Sequence, residues 1–193
     1  MLDTSKKYEI TNIKYQHFAE TLYRIRAVRS FADVKVGQLG GFIQRATNLA
    51  HEDNCWIYEG LVYHDAVIKG NAKVKGAWVW NRAVLRQEAV AEGECFISCD
   101  VECFGQALIK DSACCSGFAK IFDKCVVRER GSVSGHAICH GKSEVYGYGR
   151  ASGAAELKGT FKLRGNGRVY EDVHEKGVIE SWSPFTSDIS IHG

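Results

Sequence analysis

The feature that most constrains this chain is a six-residue period. Counting in sixes from Val67 gives Val67, Lys73, Val79, Leu85, Ala91, Ile97, Cys103, Ile109, Cys115, Ile121, Val127, Val133, Cys139, Val145, Ala151, Leu157, Leu163 and Val169, and only Lys73 is not apolar. Two places before each of these the residue is nearly always small, as at Ala77, Ala83, Ala89, Ala107, Ala113 and Ala119. Residues two apart on an extended chain point the same way, so the small and the aliphatic residue enter one interior while the residue between them points out. A repeat this short outranks any local propensity.

Glycine or another turn-prone residue stands two places after the aliphatic position at Asn81, Gly93, Gly105, Asp111, Gly117, Asp123, Gly135, Gly141, Gly147, Gly153, Gly159 and Gly165. Backbone freedom costs least there, so each unit is a short strand that turns a corner. Such units close most simply as a coil stacked on the coil below, which is a parallel β-helix.

In this respect the chain resembles the left-handed β-helix, or hexapeptide-repeat, family, whose motif is an aliphatic residue followed four places later by a small one. Val133 with Ala137, Ile109 with Ala113 and Ile121 with Cys125 are instances. The resemblance implies an all-β, left-handed, three-sided prism with eighteen residues per coil. The expected organisation is an N-terminal strand cap with degenerate first coils over 1–55, a β-helix over 56–170, and a C-terminal cap or tail over 171–193. Residues Tyr8 to Ile13 and Thr21 to Val28 read as the two strands of a hairpin that covers the open lower end. Val178, Ile179, Trp182, Phe185, Ile189 and Ile191 supply apolar material for the upper end. The block carried by Leu22 to Val28, Asp33 to Phe42, Asn48, Leu49 and Asn54 to Tyr58 resembles phage and prophage hexapeptide-repeat proteins that bear a provisional acetyltransferase label.

Composition narrows the function classes. A formal charge of +2 with dispersed Lys and Arg gives no nucleic-acid footprint, so a nucleic-acid partner is not expected. The N-terminal MLDTSKKYEI has no apolar core and no run is long enough to span a bilayer, so a cytoplasmic protein without membrane contact is expected. Of eight cysteines, Cys103, Cys115 and Cys139 take the aliphatic position and Cys95 and Cys125 the small one. Cys95, Cys99 and Cys103 are spaced by four with no histidine among them, which favours packing over zinc, and no metal is expected.

Function must then lie on outward positions. Trp78, Val84, Val90, Phe96, Leu108, Cys114 and Val126 precede aliphatic positions in the first half, whereas Ser132, Glu144, Arg150, Glu156, Lys162 and Arg168 do so in the second. Exposed apolar area of that size marks an interface. Because hexapeptide-repeat proteins typically pack through their sides, the resemblance implies a homo-oligomer, expected to be a trimer. The alternative is that long N-terminal segments cover these residues within one subunit. Ser98, Ser116, Ser134 and Ser152 form another column between Trp80 and Tyr170, read as a solvated face. Phe104, Phe122, Arg128, His140 and Tyr146 form the candidate surface for a partner protein, since aromatics and arginine dominate interface energetics.

Two functions compete. Most named members of the resembled family are coenzyme A-dependent O- or N-acyltransferases with a histidine general base, for which His64, His136 and His140 are the candidates, and Asp65 could orient His64. Against that, Val67 to Val169 holds its register with no insertion to form a pocket, whereas small-molecule sites are usually concave. The preferred expectation is a non-catalytic binding or scaffold protein, without a cofactor, that engages a host or phage macromolecule.

Overall fold

The computed structural model describes residues 6–181. Four strands build the lower end: β1 (Tyr8–His17), β2 (Glu20–Ala27), β3 (Leu39–Ile43) and β4 (Trp56–Val62). Two more, β5 (Val67–Ile68) and β6 (Lys73–Val79), lead into a ladder of short strands, most of two residues, that stack in parallel. Among the described residues there is no α-helix, only a single 3-10 turn at Ala46–Asn48. The chain is a parallel β-helix with three walls. From Trp78 to Arg150 each strand pairs with the one eighteen residues ahead, as in Phe96 on Cys114 and Leu108 on Val126.

Wall one carries Val84, Glu102, Lys120, Ile138 and Glu156 outward, and wall two carries Val90, Leu108, Val126, Glu144 and Lys162. Wall three carries Trp78, Phe96, Cys114, Ser132, Arg150 and Arg168. Inside, Leu85, Ile97, Ile109, Ile121, Val133 and Val145 are fully buried with their small partners, Ala83, Cys95, Ala107 and Ala119 among them. Each corner places one residue at positive φ two places after the aliphatic one. Gln87, Cys99 and Glu129 occupy such corners at φ of 58°, 62° and 60° although none is a typical turn residue. Four corner side chains reach up one coil: Gln87, Asp111, Asp123 and Glu129 accept from the backbone N–H of Gly105, Glu129, Gly141 and Gly147. An acceptor at the corner thus satisfies an N–H that points out of the ladder.

The register below Val79 is corrected by the structure. Ile68 and Val74, not Val67 and Lys73, point inward and are fully buried, together with Ala66 and Ala72. Lys73 pairs with Val90, seventeen residues ahead, whereas Trp78 pairs with Phe96, eighteen ahead. Gly76 alone turns this corner, at φ 101° and so close to the next coil that a Cβ would lie 2.9 Å from the Gly93 carbonyl oxygen. Val67 and Ile68 are both apolar, so counting could not separate them. The lysine at position 73 was the visible sign of the slip.

β1 and β2 form an antiparallel hairpin, β2 pairs antiparallel with β3, and β3 runs parallel to β4, so the hairpin extends the sheet of wall three below the first coil. The core of the lower end is closed by Lys7, Tyr8 and Trp56, all buried. The Lys7 ammonium donates to the carbonyl oxygens of Glu52 and Asp53 at 3.0 and 3.2 Å and lies 3.2 Å from Cys55 Sγ. The Tyr8 hydroxyl lies 2.9 and 2.8 Å from the Ala46 and Leu49 carbonyl oxygens. A buried ammonium is tolerated when oxygens replace its water, and here it supplies donors to the loop closing the base.

At the upper end, Val173–His174 pairs with Glu156–Leu157 and Val178–Ser181 with Lys162–Gly165, seventeen and sixteen residues apart. The coil continues beyond Val169 with shorter turns, which is why the six-residue count loses it there. Phe161 stands buried in a position that is small elsewhere and stacks on His174, with ring centroids 4.7 Å apart. Trp182, Phe185, Ile189 and Ile191 lie outside the described residues.

Candidate functional site

The three candidate histidines stand apart. His64 sits on a left-handed corner at φ 56°, and its backbone N–H donates to the Gln44 side-chain oxygen. Its Nδ1 lies 3.1 Å from Asn81 Oδ1 and its Nε2 3.3 Å from Glu20 Oε1. The carboxylate beside it is therefore Glu20 of the hairpin, while Asp65 pairs with Arg45 at 2.9 Å instead. His140 lies on wall one, its Nε2 3.0 Å from Glu156 Oε1 and its Nδ1 3.8 Å from Asp123 Oδ2. His136 is on an exposed corner with its ring stacked on Phe118 at 4.9 Å. A general base needs a ring nitrogen facing the proton it removes. His64 and His140 have both nitrogens turned towards side-chain oxygens, and His136 faces open corner rather than a cleft.

The five residues expected to share one partner surface fall on two walls. Phe104, Phe122 and His140 stack face to face on wall one, with centroid spacings of 4.7 and 4.8 Å, and the Arg86 guanidinium lies 4.0 Å over Phe104. Arg128 and Tyr146 are on wall two, the guanidinium 4.0 Å from the ring centroid. Rings one coil apart meet at van der Waals distance, so these columns stabilise the walls they decorate.

The apolar outward residues divide among all three walls. Val84 is on wall one, Val90, Leu108 and Val126 on wall two, and Trp78, Phe96 and Cys114 on wall three; Cys114 is exposed and the rest are half-buried. Part of wall three is covered from within the subunit. The side chains of Leu22, Leu61 and Tyr63 are buried in an outer cluster that also takes in Phe42, Trp78 and Trp80. His17 of the hairpin packs edge-on against Trp78 and Tyr63 at 4.9 and 5.5 Å. The contacts of His17 and Glu20 with the coil were not foreseen, because the hairpin's fold onto the wall is a tertiary fact with no local sequence signal.

Above Cys114, wall three changes character. A shallow groove of about 590 Å³ is lined by Arg130, Ser132, Ser134, Arg150, Ser152, Arg168 and Tyr170 with Cys114 and Val169, and no carboxylate lines it. Most other arginines on the coils are neutralised: Arg82 pairs with Asp100, Arg86 with Glu102, Arg128 with Glu144 and Arg164 with Glu180. Of the serine column expected as a solvated face, Ser134 and Ser152 line this basic groove, while Ser98 is buried. Arg130 is visible in the sequence only if corner positions are also counted at eighteen, where it precedes Tyr148.

The cysteines form no disulfides. Burial pushes the Cys95 thiol up to about 12 and raises Cys103 and Cys115 as well, while Cys139 is raised first by its contact with Cys125 and then by burial. These thiols behave as small hydrophobes. Among the described residues no group of three His, Cys, Asp or Glu side chains is placed to hold a metal ion, and no helix is long and apolar enough to cross a membrane.

No family model matches the chain. Over 60 residues, 30% of its length, it is 45% identical to the protein of Escherichia coli (strain K12) named uncharacterized acetyltransferase YdcK, and that stretch spans 18% of YdcK. The chain is thus similar, in part, to a protein named as an acetyltransferase, and it folds as a parallel β-helix.

Proposed function

We propose that this protein is a non-catalytic scaffold that self-associates through its apolar outward columns, as a trimer, and presents its remaining walls to another macromolecule in the cytoplasm. The observation that carries this reading is the setting of the histidines: on separate corners and walls, with the ring nitrogens of His64 and His140 already facing side-chain oxygens. Walls that hold an eighteen-residue pairing from Trp78 to Val169 offer flat surface, which suits macromolecular contact better than enclosure of a small reacting group. The likeness of the N-terminal block to phage proteins makes a host macromolecule the expected partner.

The second reading, a coenzyme A-dependent acyltransferase, has two supports: the partial likeness to YdcK and the His64–Glu20 pair, a histidine–carboxylate contact where hairpin and coil meet. Turnover separates the two. Thiol release from acetyl-coenzyme A should be absent with amine and sugar acceptors; release that disappears in His64→Gln would overturn the scaffold reading.

A further inference from the structure

The basic groove on upper wall three is a feature that the scaffold role does not use. Arg150 and Arg168 occupy the same outward position in successive coils, about 4.8 Å apart along the prism. Among the described residues neither guanidinium makes a hydrogen bond or an ion pair, and the Arg130 guanidinium reaches only the Tyr148 hydroxyl, at 2.9 Å. Three guanidinium groups on one shallow face repel one another, and unlike Arg82 or Arg164 they have no carboxylate to offset that. Ser132, Ser134 and Ser152 add hydroxyl donors beside them, and the Tyr170 ring, 63% exposed, forms the upper rim.

We propose that this groove binds a nucleotide, its phosphates held by Arg150, Arg168 and Arg130 and its base stacked on Tyr170. Guanidinium groups donate to phosphate oxygens in a fixed fork, and serine hydroxyls complete the shell of a multiply charged anion. The exposed ring supplies the flat apolar contact that inorganic phosphate would not need. A groove of about 590 Å³ matches a small ligand in size. It extends over only the upper coils, because lower on the same wall Phe96 and Trp78 replace the arginines, so a long strand of nucleic acid would run off the basic area.

The test is calorimetric titration of the full chain with adenosine diphosphate, inorganic pyrophosphate and adenosine. Adenosine diphosphate should bind with a Kd below about 1 mM. Arg150→Gln with Arg168→Gln should weaken it by about tenfold or more, and Ser152→Glu, which places a carboxylate in the groove, should do the same. Tyr170→Ser should weaken adenosine diphosphate by about fivefold and leave pyrophosphate unchanged. All four side chains are on the outside of the coil, so the melting temperature should not move. No heat with either diphosphate, or binding indifferent to the arginine pair, would overturn the assignment. Tighter binding of a single-stranded oligonucleotide would also overturn it, in favour of a nucleic-acid surface. Coenzyme A itself carries an adenosine diphosphate moiety, so turnover is scored separately: binding of adenosine diphosphate without thiol release from acetyl-coenzyme A keeps both the groove and the scaffold reading, whereas thiol release overturns the scaffold reading and leaves the groove assignment to the titrations.

Discussion

Tyr63 and Tyr170 occupy the same outward column of wall three, at its lower and upper ends, yet one is 7% exposed and the other 63%. Between them the backbone does the same thing coil after coil, and the core behind them is built from the same small and aliphatic residues. The difference lies in what lies against the wall. Below, the hairpin folds onto Leu61, Tyr63 and Trp78 and seals an outer cluster; above, Ser132, Arg150 and Arg168 face solvent with nothing from the described chain over them. In a β-helix the inward positions specify the shape and the outward positions decide its use, so two stretches of one wall can serve opposite purposes.

The largest expected effect comes from breaking the sealed half. Leu22, on β2 of the hairpin, is fully buried in the outer cluster, and Leu22→Ala should cost about 2–4 kcal/mol in chemical denaturation. Arg150→Ala, on the open half, should change stability by less than about 0.5 kcal/mol. Equal effects would mean that the hairpin is not an integral layer. Phe96→Glu should come next. It stands at the upper edge of the aromatic cluster, where it touches Trp78 and Trp80 but no hairpin ring. Sedimentation should show the assembly falling to single chains while the circular dichroism spectrum is kept; an unchanged mass would exclude this patch from self-association.

Cys114 marks the boundary between the halves and sharpens the comparison further. It is exposed, Cys99 is half-buried and the other six cysteines are buried, so alkylation of the native protein should modify Cys114 first, Cys99 more slowly and the others only on unfolding. Burial, with a smaller contribution from Cys99, raises the Cys114 thiol, so its rate should stay slow until the pH is well above neutral. The smallest effect concerns pH. Burial works to raise the Glu144 carboxyl on wall two, but Lys162 and Arg128 outweigh it and hold it below its ordinary value of 4.5. Its contribution to stability is therefore complete above pH 4.5 and is lost as the pH falls through the lower folded value. Glu144→Gln should flatten that part of a stability-against-pH curve.

From Val79 to Val169 the inward register was legible because aliphatic and small residues recur in the sequence without a break. It misled at Val67 to Val74, where two adjacent apolar residues allow either register and the missing residue lies in a glycine corner. Corners at Gln87, Cys99 and Glu129 carried no turn signal, because stacking of successive coils forces the left-handed conformation on whatever residue is there. The outward columns were legible as lists but not as surfaces. Nothing local says that Phe104 and Tyr146 belong to different walls, that Glu20 reaches His64, or that the hairpin covers Tyr63. Those are contacts between residues seventeen to forty-six positions apart, fixed by how the coil closes.

Hydroxyl-radical footprinting read by mass spectrometry tests the division of wall three most directly, because it compares one residue type in one column. Tyr170 should be oxidised several times faster than Tyr63 in the native protein, in about the ratio of their exposures. Equal rates for the two tyrosines would contradict a sealed lower half and an open upper one.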